Sequence, residues 1–243
     1  MNRRHFLTNA AASAIVLGLS SPIAAASWWD RIKNSVKGGT SSEGLSNTDI
    51  AAGLKEALNV GADRAVSLLA VEDGFFGNPE VKIPLPGALT KVRSALDKVG
   101  FGGTFDDLEL QMNRAAEQAA PQAKELFIGA ISELTLDDVQ GIYTGGENAA
   151  TTYLRSKTAE PLSEKMTPII DESLATVGAA STLTKIMGRY NKLPFVPKVE
   201  TSLTGHVVNA GLNGIFLMLG REEAAIRQDP LKRSTDLLRK VFT

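Results

Sequence analysis

The stretch TGHVVNAGLNGIFLMLGREEAAIR, from Thr204 to Arg227, sets the architecture. Val207, Val208, Leu212, Ile215, Phe216 and Leu219 recur at helical spacing and cover more than half of the circumference. A helix apolar over so much of its surface belongs at the centre of a bundle. Gly211, Gly214 and Gly220 each weaken it by roughly 1 kcal/mol against alanine, a cost usually borne where another helix packs close. Polar residues interrupt the run, so the expectation is a core helix and not a membrane span.

Outward from this helix the signals stay helical. Ser46-Asn47-Thr48-Asp49 is a variant capping box, with Leu45 able to staple onto Ile50. Ile50, Leu54, Leu58, Ala65 and Leu69 then follow at helical spacing. Thr104-Phe105-Asp106-Asp107 and Thr135-Leu136-Asp137-Asp138 repeat the cap: a hydroxyl accepts from a free N–H, and the acids favour the positive helix end. Helix stops are expected at Gly100, Gly145-Gly146 and Gly178. The reading is all-α, one bundle of roughly nine helices over residues 45–243. Two proline-laced stretches, Asn78 to Pro86 and Leu193 to Val199, interrupt it. Their prolines deny donors to a ladder, so they are expected to run over the bundle surface and not within a sheet.

The N-terminus has a different grammar. Arg3 and Arg4 precede an apolar run of about ten residues, Ala10 to Leu19, too short to span a bilayer, and Ala24-Ala25-Ala26 supplies small residues for a signal peptidase. Residues 1–26 are expected to be a signal peptide cut after Ala26, with the protein exported to the periplasm. Arg3-Arg4-His5-Phe6-Leu7 is the core of a twin-arginine address, and Thr8, Asn9, Ser13 and Gly18 dilute the apolar run as that route prefers. Residues 27–44, closing in Gly38-Gly39-Thr40-Ser41-Ser42, form a tether. Within it, Trp28 and Trp29 are candidates for peripheral membrane contact.

Composition excludes more chemistry than it suggests. The 243 residues carry 26 basic and 27 acidic side chains. Without Arg3 and Arg4 the balance is about −3, the wrong sign for a nucleic-acid binder. With no cysteine there is no disulfide, thiolate nucleophile, thiolate-bound zinc or lipobox. After cleavage one histidine remains, His206, so a Ser-His-Asp triad would depend on it, and no nucleophile elbow partners it. One histidine with carboxylates alone disfavours zinc, and no calcium loop appears. Gly100-x-Gly102-Gly103 and Gly145-Gly146 lack both a preceding strand and a Walker lysine. No catalytic residue, metal or cofactor is assigned. Asp106/Asp107 and Asp137/Asp138 are explained by capping.

One constellation remains. Arg114 and Glu117 lie on an alanine-rich helix, Tyr153, Arg155 and Lys157 follow the Gly145-Gly146 turn, and Arg227 ends the central helix four residues after Glu223. As ion pairs on solvated faces they would contribute a few tenths of a kcal/mol each. As a site they would form a cationic pocket, Arg114 and Arg155 holding a small anion by forked hydrogen bonds with Tyr153 as a donor. The leading expectation is therefore a non-enzymatic binding or interaction module, its partner a small molecule or an envelope protein. Two alternatives stand beside it: an acid–base enzyme pairing Glu117 with Lys157 or Tyr153, and a membrane-surface envelope protein working through Trp28 and Trp29.

The strings Asn78 to Pro86, MNRAAEQAAP (Met112 to Pro121), ATTYLRSKT (Ala150 to Thr158), YNKLPFVPKV (Tyr190 to Val199) and EEAAIRQDP (Glu222 to Pro230) resemble the bacterial family called domain of unknown function 4197. The likeness runs from about Leu45 to Phe242. It implies a secreted or envelope-associated, mostly helical domain, and it carries over no catalytic residue.

Overall fold

The computed structural model describes residues 47–228. The expected signal peptide, its cleavage at Ala26, the tether with Trp28 and Trp29, and the cap at Ser46 lie outside these residues. The described elements are helices, and no strand occurs among them. They are α1 (Asn47–Leu69), α2 (Gly87–Leu96), a 3-10 turn (Asp97–Val99), α3 (Gly102–Ala119), α4 (Gln122–Ser132), α5 (Leu136–Thr144), α6 (Ala149–Thr176), α7 (Ala179–Tyr190) and α8 (Leu203–Gln228). The all-α expectation holds. The count of roughly nine does not: fewer α-helices occupy the described residues. The longest, α6, runs unbroken for 28 residues through Pro161 and Pro168.

Helix α8 is the axis, packed chiefly on α6 and α1 and also on α3. Val207 and Ile215 are fully buried, and Phe216 meets Phe127 of α4 with ring centroids 5.8 Å apart. By length and composition α8 would pass for a membrane span, yet half of its apolar window is buried inside the bundle. Gly214 shows what the glycines accomplish: a Cβ there would lie 2.7 Å from the Phe75 ring and 3.2 Å from Val81. Leaving it out lets residues 75–81 close directly onto the helix.

Local chemistry places most ends. The Thr135 hydroxyl accepts from the Asp138 N–H at 3.1 Å, and the Asp138 carboxylate accepts from the Thr135 N–H at 3.0 Å, completing the capping box at α5. Gly178 joins α6 to α7 at φ 80°, a conformation that suits glycine. Thr104 does not cap: α3 begins at Gly102, so Thr104 lies within its first turn.

The first proline-laced segment is a strap with one face in the core. Val81, Ile83 and Leu85 are buried while Glu80, Lys82 and Pro84 face out, an alternation set by extended backbone. With no ladder available, side chains satisfy its backbone. Asn113, fully buried on α3, accepts from the Ile83 N–H and donates to the Ile83 carbonyl, both at 2.9 Å. The imidazole Nε2 of His206 lies 2.7 Å from the Pro84 carbonyl, which gives this histidine a structural partner.

Candidate functional site

The six residues singled out by sequence fall into separate settings. Arg114 and Glu117 meet as expected from their shared helix face. Glu117 is buried; its Oε1 accepts from the Phe75 and Phe76 N–H groups at 3.1 Å each, and its Oε2 accepts from Arg114 Nη1 at 2.7 Å. Arg114 also donates to Asp73 at 2.8 Å and to Glu72 at 3.3 Å. Its pKa is raised above the ordinary arginine value, first by the hydrogen bond to Glu117. Three carboxylates around one guanidinium make a negative neighbourhood, which repels a further anion. The group latches the turn before the strap onto α3.

Arg227 is likewise engaged. It is buried and donates through Nε and Nη2 to Glu223 Oε1 at 3.1 and 2.5 Å. Glu223 in turn accepts from the Ala150 N–H at 3.1 Å, and its Oε2 from the Thr151 N–H and hydroxyl at 2.8 and 2.7 Å. Those N–H groups are free donors in the first turn of α6, whose N-cap Asn148 supplies no side-chain bond. A carboxylate from α8 therefore caps α6 from across the bundle.

Tyr153 and Lys157 form a third setting, one turn apart on α6, with the Lys157 ammonium 5.7 Å from the Tyr153 ring centroid. Partial burial, and then the Asp138 carboxylate of α5, push the Tyr153 phenol up. Asp138 itself is lowered, chiefly by its Thr135 hydrogen bond, with a smaller contribution from Lys157. Glu117 is thus bound to the turn at Phe75, while Tyr153 and Lys157 face α5.

Arg155 differs from the other two arginines. Its exposed guanidinium sits 4.7 Å from the Phe216 ring centroid, and Nη2 donates to Asn213 Oδ1 at 3.2 Å. Neither contact neutralises it, and among the described residues it makes no ion pair within 4.0 Å. It borders an open groove between the start of α6 and the middle of α8, lined by Asn148, Thr151, Asn213, Phe216, Leu217 and Arg221. Arg221, on the rim, is paired with Glu80 of the strap. The groove thus combines a ring-stacked arginine, amide and hydroxyl groups, and an apolar floor from Phe216 and Leu217, an arrangement suited to a small anionic group. Sequence reasoning reached Arg155 but missed Asn148, Asn213 and Phe216. Asn213 had a visible signal, a polar side chain inside the long apolar central helix. No cluster of three or more histidine, aspartate or glutamate side chains placed to hold a metal occurs among the described residues.

The fold and these settings define, over the described residues, an all-helical domain whose buried ion pairs hold segments together, with an open groove beside Arg155. Residues 44–243 match the protein family of unknown function DUF4197, and the chain belongs to that family. No curated protein and no solved structure matches it.

Proposed function

We propose that this is a non-enzymatic binding module, exported to the periplasm and cleaved after Ala26, which takes a small carboxylate- or phosphate-bearing molecule in the groove between α6 and α8. The observation that carries this reading is Arg155: a guanidinium fixed by Phe216 and Asn213, with no carboxylate of the described residues paired to it, facing an open groove. Only one of its five donors is used by Asn213, so a fork remains to receive an anion. The Arg3-Arg4 leader supports export, by the twin-arginine route. The acid–base alternative draws little support, because Glu117 is occupied by two N–H groups and Arg114.

Native mass spectrometry of the protein from its own cells, set against the same sample denatured, tests both halves. The expected result is a chain starting at Ser27 that carries a mass excess lost on denaturation and lost in Arg155→Ala. An uncleaved chain would sink the export reading. A bare wild-type mass that also shows no shift with added phosphate or acetate would sink the ligand reading.

A further inference from the structure

The second proline-laced segment does something the strap does not. Leu193, Val196 and Val199, every third residue of the loop, pack against the core and anchor it. Phe195, between them, is fully exposed at 105% and sits at φ 61°. A bulky side chain in the left-handed region is a genuine outlier, and glycine or asparagine would fill such a position with less strain. Solubility alone would also prefer either. The loop thus bears both conformational strain and exposure in order to present one aromatic ring, held on a frame whose neighbours are Pro194 and Pro197.

The chain leading into and through that loop is rich in basic residues, with Glu200 the first acid after it. From Ser173 to Val199 there is no acid, while Lys185, Arg189, Lys192 and Lys198 are all exposed. None of the four makes an ion pair within 4.0 Å among the described residues; Arg189 stacks on Phe101 at 5.3 Å. The chain as a whole is slightly negative, so this is a local basic surface. We propose that the Phe195 tip inserts into an anionic phospholipid surface, with Lys192 and Lys198 contacting headgroups and Lys185 and Arg189 adding attraction. A projecting ring without a surrounding flat apolar patch suits a deformable lipid phase better than a protein interface, which needs an extended complementary face. This surface shares no residue with the groove at Arg155.

The absence of cysteine allows a site-specific test in the full chain. Phe195→Cys, labelled with a polarity-sensitive dye, should shift to the blue on vesicles of phosphatidylglycerol and phosphatidylcholine. It should not shift on phosphatidylcholine alone, nor should a dye at the exposed Glu160→Cys shift on either. In flotation, unlabelled Phe195→Asn should bind the anionic vesicles roughly tenfold more weakly or worse with an unchanged melting temperature, and Lys192→Glu with Lys198→Glu should do the same. No shift at position 195, or wild-type flotation in both variants, overturns the proposal. An acidic protein partner would then be the occupant to seek.

Discussion

The strap at Asn78–Pro86 and the groove beside α6 flank the same central helix, yet they treat polar groups in opposite ways. Under the strap every strong donor and acceptor is consumed: Asn113 by Ile83, Glu117 by Phe75, Phe76 and Arg114, and His206 by Pro84. At the groove, Arg155 is positioned by a ring and an amide but left with its charge uncancelled. An arginine's availability therefore depends on which carboxylates the fold brings to it. Arg114 acquires three and becomes part of the structure, whereas Arg155 acquires none among the described residues, which is what the proposed recognition role requires.

The sharpest way to break this comparison is through Glu223, which caps the helix forming one groove wall. Glu223→Ala removes one carboxylate from the buried Arg227 and frees two N–H groups of α6, so a loss of about 3–5 kcal/mol is expected in denaturant unfolding. Glu117→Ala should cost somewhat less, about 2–4 kcal/mol, because Arg114 keeps Asp73 and Glu72. Amide exchange should then accelerate first at Phe75 and Phe76. If both variants unfold like wild type, the latches contribute nothing to stability and the contrast collapses.

The two glycines sharpen it further. Gly214→Ala pushes a methyl into Phe75 and Val81 and should cost about 1–3 kcal/mol by overpacking. Gly220→Ala meets Asn148 and Thr151 only at 3.5 Å or beyond, so helix propensity should make it neutral or stabilising by up to about 1 kcal/mol. Equal thermal shifts in the two would mean that the groove side is as tightly packed as the strap. Arg155→Ala comes next. Stability should change by less than about 0.5 kcal/mol, as for other surface substitutions, while the ligand mass excess disappears.

The smallest effect expected is one of pH. Asp138 is lowered in the folded chain, so its contribution is complete above the unfolded aspartate pKa and is lost as pH falls through the lower, folded value. The start of α5 should therefore lose amide protection only once pH falls below the ordinary aspartate pKa, measured against the intrinsic exchange rate at each pH, and Asp138→Asn should show that lower protection at neutral pH. Pushed the other way, Tyr153 favours its neutral form in the fold, a contribution present below the unfolded tyrosine pKa and lost as pH rises through the folded one. If the Asp138→Asn chain loosens at α5 still further as pH falls below the ordinary aspartate pKa, another carboxylate is responsible.

What the sequence determined by itself was local. The Thr135 capping box, the glycine ends at Gly100 and Gly178 and the central role of residues 204–227 follow from hydrogen bonds within a few residues or from apolar periodicity along one helix. Even local rules yielded where packing was strong. Pro161 and Pro168 lie inside α6 because Leu154, Leu162, Met166 and Ile170 are buried along its length, and that burial outweighs the lost hydrogen bonds. The fates of the charged residues were decided only by tertiary structure. Arg114, Arg155 and Arg227 are equivalent as letters. What separates them is whether Glu117, Asn213 or Glu223 stands opposite, and only Arg114 and Arg227 owe that partner to their own helix. The rest comes from helices and turns distant in sequence, and Coulomb and hydrogen-bond energies depend on that distance in space.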